Sequence, residues 1–226
     1  MSLRKFIFFL PFFIFSSIQA QTRLTVVIDP GHGGSNTGAV CENIMEKDLT
    51  LDLSMRVRAF FNKHPLKNVT LHFTRTTDVD LPVRSRVEII EKLQPDLFIS
   101  IHFNSQKLLS TNRGFEIYYA PDNLSSNIET KAKSYDRANR SFYYGYIIRN
   151  LFLKTNLYSV WKLPLNMFTQ KYGIMLFDDT TVPGLLLEMA YITSPEDRAC
   201  IENPQFMNDA AWFIYESIKL IAEKKP

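Results

Sequence analysis

Apolar positions along the chain follow two periods, one close to 2 and one close to 3.6. Leu24-Thr25-Val26-Val27-Ile28 is a short apolar run closed by Pro30 and a glycine cluster, which predicts a buried strand and then a turn. Leu49, Leu53, Val57, Phe60 and Phe61 recur at helical spacing and predict a helix from Glu46 to about His64-Pro65. Val69, Leu71 and Phe73 alternate with Thr70, His72 and Thr74, a strand pattern. Val83, Val87 and Ile90 mark a second helix, opened by Pro82 and broken at Gln94-Pro95. The unbroken apolar character of Leu97-Phe98-Ile99-Ser100-Ile101 predicts a parallel strand covered on both faces. Residues 114–119 read as another strand, and the polar stretch 123–139 predicts no more than a short helix. Phe142, Tyr143, Tyr146, Ile147 and Leu151 then place the inner face of a longer helix, with its aromatics in the core rather than on a carbohydrate platform. Residues 163–168 and 174–177 are expected as short strands, and Leu185-Leu186-Leu187 as a buried one. Ser194-Pro195 and Asn203-Pro204 are cap-then-proline starts for the last two helices. The alternation predicts one α/β domain, a twisted, mostly parallel sheet with helices on both faces.

The first residues stand apart. Arg4 and Lys5 precede an apolar run, 6–18, that is short for a bilayer, and small and polar residues lead to Ala20. This predicts a secretory signal peptide over 1–20, a mature domain over 21–226, and export to the periplasm or cell envelope. Gln21, not a cysteine, stands directly after the expected cut, so a lipid-anchored cysteine is not indicated. Taking Arg4 and Lys5 from the 26 basic residues leaves 24 against 23 acidic ones. Such a near-neutral chain has no basic stripe for nucleic acid. Export permits a disulfide between Cys41 and Cys200, but their spacing does not require one, and Cys41 lacks the paired spacing of a metal cysteine.

Candidate chemistry gathers where strands end. Asp29-Pro30-Gly31-His32-Gly33-Gly34 follows the first strand, and His102 follows the strand at 97–101. A lone histidine after a strand is usually a satisfied loop residue. Two of them, if the strands are parallel, share the carboxyl edge of the sheet, where ligands bind in open α/β folds. Glu46 projects onto the buried stripe of the first helix, one turn before Leu49, whereas Glu42 and Asp48 do not. A carboxylate there is costly unless paired or coordinated. Its simpler role is to favour the helix N-terminus. His32, Glu46 and His102, with room for water, make a catalytic zinc set. Glu188 ends a third apolar strand, where burial should raise its pKa and suit it to proton transfer. Its plainer alternative is a carboxylate capping the following turn. His64, in a last helical turn, and His72, on a sheet face, need no ligand role.

Residues 27–34 (Val-Ile-Asp-Pro-Gly-His-Gly-Gly), Glu46-Lys47-Asp48-Leu49, Thr74-Arg75, residues 100–105 (Ser-Ile-His-Phe-Asn-Ser) and Leu186-Leu187-Glu188 together resemble the zinc-dependent N-acetylmuramoyl-L-alanine amidases of the amidase-3 family. The resemblance runs from about residue 24 to 221. It implies that His32, Glu46 and His102 hold Zn2+, and that Glu188 is the catalytic carboxylate. It also implies hydrolysis of the amide between N-acetylmuramic acid and L-alanine in peptidoglycan. Departures from the family pattern are Ile90-Glu91, Phe103 and Met189-Ala190-Tyr191, and Phe103 and Tyr191 are expected to crowd or line the cleft. The rival readings are a zinc peptidase of the stem peptide, a non-catalytic peptidoglycan-binding homologue and a purely structural envelope protein. The sequence leaves open a protein activator and the oligomeric state.

Overall fold

The computed structural model describes residues 23–106, 111–122 and 128–225. The expected signal segment therefore lies outside the described residues. Strand β1 (Leu24–Pro30) leads into a small hairpin, β2 (Val40–Cys41) and β3 (Ile44–Met45), and then helix α1 (Glu46–Lys63). Next come β4 (Val69–Phe73), α2 (Val83–Leu93), β5 (Leu97–Asn104) and β6 (Phe115–Tyr119). The long helix α3 (Ile128–Phe152), the short α4 (Asn156–Ser159), β7 (Leu165–Gln170) and the short α5 (Met175–Asp178) follow. The chain ends with β8 (Gly184–Tyr191), α6 (Pro195–Ile201) and α7 (Pro204–Lys224).

Six strands form one sheet in the order β4-β1-β5-β8-β6-β7. The first four are mutually parallel, so the ends of β1, β5 and β8 share one edge, as expected. Strand β6 runs antiparallel to β8 and parallel to β7, so the last two strands are reversed. Val26, Ile28, Ile99, Ile101, Leu185 and Leu187 face a core filled by α1, α3 and α7. The alternate residues Val27, Phe98 and Leu186 face a smaller core with Ile90 of α2 and with Leu176 and Phe177 beside α2. This two-sided burial is why the parallel strands read as continuous apolar runs.

Three expectations are corrected. Residues 174–177 are not a strand: Gly173 turns the chain at φ +76°, and Leu176 and Phe177 are buried together on one helical turn. A strand would point these two neighbours to opposite faces. The inner face of α3 is also rotated from the expected one. Tyr144, Ile147, Ile148 and Phe152 are buried, whereas Phe142, Tyr143 and Tyr146 are 45%, 42% and 47% exposed. Small residues decide this. Gly145 lets the helix approach Phe168 and Leu185, and Ser141 Oγ accepts the Gly184 amide at 3.1 Å. The polar stretch belongs to the same helix from Ile128 onward, where one short helix was expected. Cys41 and Cys200 are free thiols.

Gly184 starts the strand that carries Glu188, and a Cβ there would lie 2.2 Å from the buried Phe98 ring. Gly184→Ala should therefore destabilise the fold by about 1–3 kcal/mol through overpacking. Chemical denaturation would check this. A Phe98→Leu partner substitution should recover part of the loss, and unchanged stability in Gly184→Ala would remove Phe98 as the constraint.

Candidate metal centre

Three elements bring His32, Glu46 and His102 together. His32 follows β1 and has φ 59°, a conformation that costs energy outside glycine. His102 lies near the end of β5, beside β1. Glu46 is the first residue of α1, whose leading amides are occupied by the loop: Glu46 N–H donates to Ala39 O and Lys47 N–H to Thr37 O. This seats the carboxylate between the two rings. Glu46 Oε2 lies 3.0 Å from His32 Nε2, and Oε1 lies 2.8 Å from His102 Nδ1. The amides of Ala39 and Phe103 donate to the same two oxygens, at 2.9 and 3.1 Å.

One ligand atom from each of the three residues falls within 4.8 Å of the others, a spacing that could hold a metal ion. The electrostatics favour a cation there. Burial alone would raise Glu46, but hydrogen bonds and charge from His102 and His32 hold it well below the usual carboxylate range. Burial works against a charged His102, yet Glu46 and Glu188 raise its proton affinity. His32 is also oriented from behind. Its Nδ1 donates to Asn36 Oδ1 at 3.0 Å, an acceptor assignment supported by Gly38 N–H donating to the same oxygen. That leaves Nε2 toward Glu46, the arrangement in which an outer partner fixes a ligand's tautomer. Gly31 and Gly38 keep the space open, since a Cβ at Gly31 would strike the His102 ring at 2.4 Å and one at Gly38 would meet Glu46 Oε2 at 2.6 Å.

Two buried arginines hold the strained turn, and pattern reading did not assign them. Arg75 donates to Pro30 O at 3.0 Å and to Gly31 O at 2.8 Å. Arg86 donates to Pro30 O, His32 O and Leu81 O, and to Asp29 Oδ1 at 2.7 Å. Asp29 also accepts from Thr74 Oγ1 at 2.5 Å and Ser100 Oγ at 2.7 Å. Burial would raise Asp29, but Arg86 and these donors outweigh it and keep it ionised below the usual range. The Thr-Arg pair at 74–75 was visible as a motif, but its use as a clamp on carbonyls was not.

Glu188 pairs with His102 in the β5–β8 register, so both side chains face the same side of the sheet. Its Oε2 is buried without a hydrogen-bond partner. Burial raises its pKa to about 7, with His102 opposing and Glu46 and Glu116 adding. Glu116 is its neighbour on β6 and is richly supplied with donors. It accepts from Asn104, Tyr118, Asn166 and Tyr191 at 3.0, 2.6, 2.5 and 2.5 Å. Tyr191 thus turns its hydroxyl to Glu116 instead of lining the cleft, while Phe103 does form part of the wall. The cleft over the triad and Glu188 has a volume of about 380 Å³.

The family model described as N-acetylmuramoyl-L-alanine amidase matches residues 26–220. The germination-specific N-acetylmuramoyl-L-alanine amidase of Bacillus subtilis is 27% identical over 211 residues, covering 85% of this chain and 77% of that protein. N-acetylmuramoyl-L-alanine amidase AmiC of Escherichia coli O6:H1 is 29% identical over 225 residues, covering 87% of this chain and 52% of the relative. The solved structure of N-acetylmuramoyl-L-alanine amidase AmiC2 of Nostoc punctiforme is similar at a TM-score of 0.70 and 28% identity, covering 89% of this chain and 98% of that one. Two histidines at parallel strand ends bridged by a helix-start carboxylate, a buried carboxylate facing them and a family match across nearly the whole described chain agree: the protein belongs to the Amidase_3 family of N-acetylmuramoyl-L-alanine amidases.

Proposed function

We propose that this protein is an exported, zinc-dependent amidase that hydrolyses the bond between N-acetylmuramic acid and L-alanine in peptidoglycan. The observation that carries the mechanism is Glu188 Oε2, buried, without a partner, on the cleft that also holds the triad. Buried polar atoms are normally satisfied, and an exception at a cleft wall calls for a missing partner. A substrate or a water molecule is a suitable one.

His32, Glu46 and His102 would hold the metal. Two imidazoles and a carboxylate suit zinc with an open position, and zinc so bound supplies a Lewis acid for the amide carbonyl and favours deprotonation of water. Glu188 takes the proton from the attacking water and returns it to the leaving nitrogen of L-alanine. A carboxyl shifted toward neutrality can carry a proton in both directions near pH 7. Asn36 and the two arginines keep His32 in register for this chemistry. Export rests on the leader-like sequence before Gln21, and it places the enzyme where peptidoglycan is. Intact-mass and N-terminal analysis of the envelope protein should find Gln21 first; a retained Met1 would point to an uncleaved anchor.

Metal analysis tests the triad. His32→Ala and Glu46→Gln should lose bound zinc and activity, while Glu42→Gln, on an exposed turn, should keep both. A full zinc complement in either of the first two would strike that residue from the ligand set.

Glu188→Gln tests the proton carrier. The amide nearly matches the carboxyl in shape, so fold and zinc should persist while turnover of solubilised peptidoglycan falls by about 10²- to 10⁴-fold. Mass spectrometry of the wild-type products should show new N-terminal L-alanine and intact glycan strands. Normal turnover in Glu188→Gln would refute the mechanism, and peptides cut further along the stem would favour a peptidase.

A further inference from the structure

Two recesses flank the triad; each has two carboxylates and one lysine or arginine side chain, and they differ in whether that base is free to meet a ligand. Both are walled by His32 and His102. The smaller one, about 240 Å³, reaches toward Leu81, Pro82, Val83 and Leu176. Its one arginine, Arg86, is buried and bonded to Asp29, Pro30 O, His32 O and Leu81 O. It therefore offers no cation to a ligand. The larger recess runs from Glu188 down the sheet face past Leu186 and Tyr118 to Ile174 and Lys171. Among the described residues that line it, Lys171 is the one with a lysine or arginine side chain.

The ammonium of Lys171 is placed, not merely nearby. Its Nζ sits 4.9 Å from the centroid of the Tyr118 ring, a cation–π distance. The ring is itself held, since Tyr118 Oη donates to the buried Glu116 at 2.6 Å. Lys171 N–H also donates to Tyr119 O, which fixes the backbone after β7. Aromatic contact on one side leaves ammonium donors for a ligand on the other.

We infer that Lys171 receives a free carboxylate of the stem peptide and so sets the direction in which the substrate lies across the triad. This rests on the amidase reading above. Of the two sides of the scissile amide, the glycan side is a neutral N-acetylated sugar, and the peptide side carries carboxylates. The peptide then runs along the recess with the cation, and the sugar takes the recess without one. The spacing agrees. Tyr118 pairs with Leu186, two positions down the strands from the Glu116–Glu188 pair. Two positions are roughly 7 Å along a sheet, about the length of two extended residues. A carboxylate on the residue after L-alanine comes within reach of a lysine side chain standing there.

The test uses the zinc-loaded protein and two muramoyl peptides that differ only in whether the peptide carboxylates are free or amidated. Wild type should favour the free form by about tenfold in kcat/KM, carried by KM, as expected for one ionic contact in a water-exposed cleft. In Lys171→Ala the ratio should fall to about one, and in Lys171→Glu it should invert. Lys171→Arg should retain most of it. Calorimetric binding of the released peptide, free or amidated, to wild type and Lys171→Ala gives the same comparison without turnover. No preference in wild type, or the wild-type ratio in Lys171→Ala, by either readout, overturns the assignment. Failure of wild type to release L-alanine-ended peptide from both substrates would instead reject the amidase reading, and the binding arm would still decide the role of Lys171.

Discussion

The geometry of the His32–Glu46–His102 group depends on an ion pair beneath it. Asp29 and Arg86 are 2.7 Å apart and almost wholly buried. Asp29 joins β1 to Thr74, just past β4, and to Ser100 of β5, while Arg86 joins α2 to the carbonyls of the His32 turn. Burying two charges is unfavourable unless each is fully hydrogen-bonded, and here both are. The bonds that satisfy Arg86 are the ones that hold His32 at φ 59°. The cost of that backbone conformation is thus offset within the same network that orients the ligand. Breaking one partner of such a pair typically costs about 3–5 kcal/mol.

Two carboxylates one strand apart show how surroundings divide labour. Glu116 is met by four donors, which tie Tyr118, Tyr191 and the end of β5 to it. Glu188 has an oxygen with none and is shifted toward the neutral form. The side chain is the same; burial, nearby carboxylates and a missing donor set Glu188 apart from its well-bonded neighbour.

How much of this was legible in the sequence follows from what kind of signal each feature leaves. Parallel strands buried on both faces leave continuous apolar runs, so β1, β5 and β8, and with them the shared edge of His32, His102 and Glu188, could be read directly. Glu46 was legible because a carboxylate on an apolar stripe breaks a pattern. The α3 face was misread because aromatic residues dominate a hydrophobic count, whereas Ser141 and Gly145, which decide the approach to the sheet, barely register in it. The α5 turn was missed because four residues cannot distinguish a strand from a single helical turn. Arg86 and Glu116, and the clamp made by Arg75, were missed for another reason: the arginines meet mostly backbone carbonyls and Glu116 meets side-chain amides and hydroxyls, and these leave no local periodicity.

The division of the site along the chain has a mechanical consequence. All three triad residues come from the first 104 positions, from the turn after β1, from α1 and from β5, whereas Glu188 and Lys171 arrive after the long crossing of α3. The two halves meet along the β5–β8 seam, whose register shifts between His102 and Asn104. A small shear at that seam would change the distance from Glu188 to the triad while leaving every bond among His32, Glu46 and His102 intact. On the proposed roles, a change confined to the second half would lower turnover while leaving the three metal-ligand candidates together.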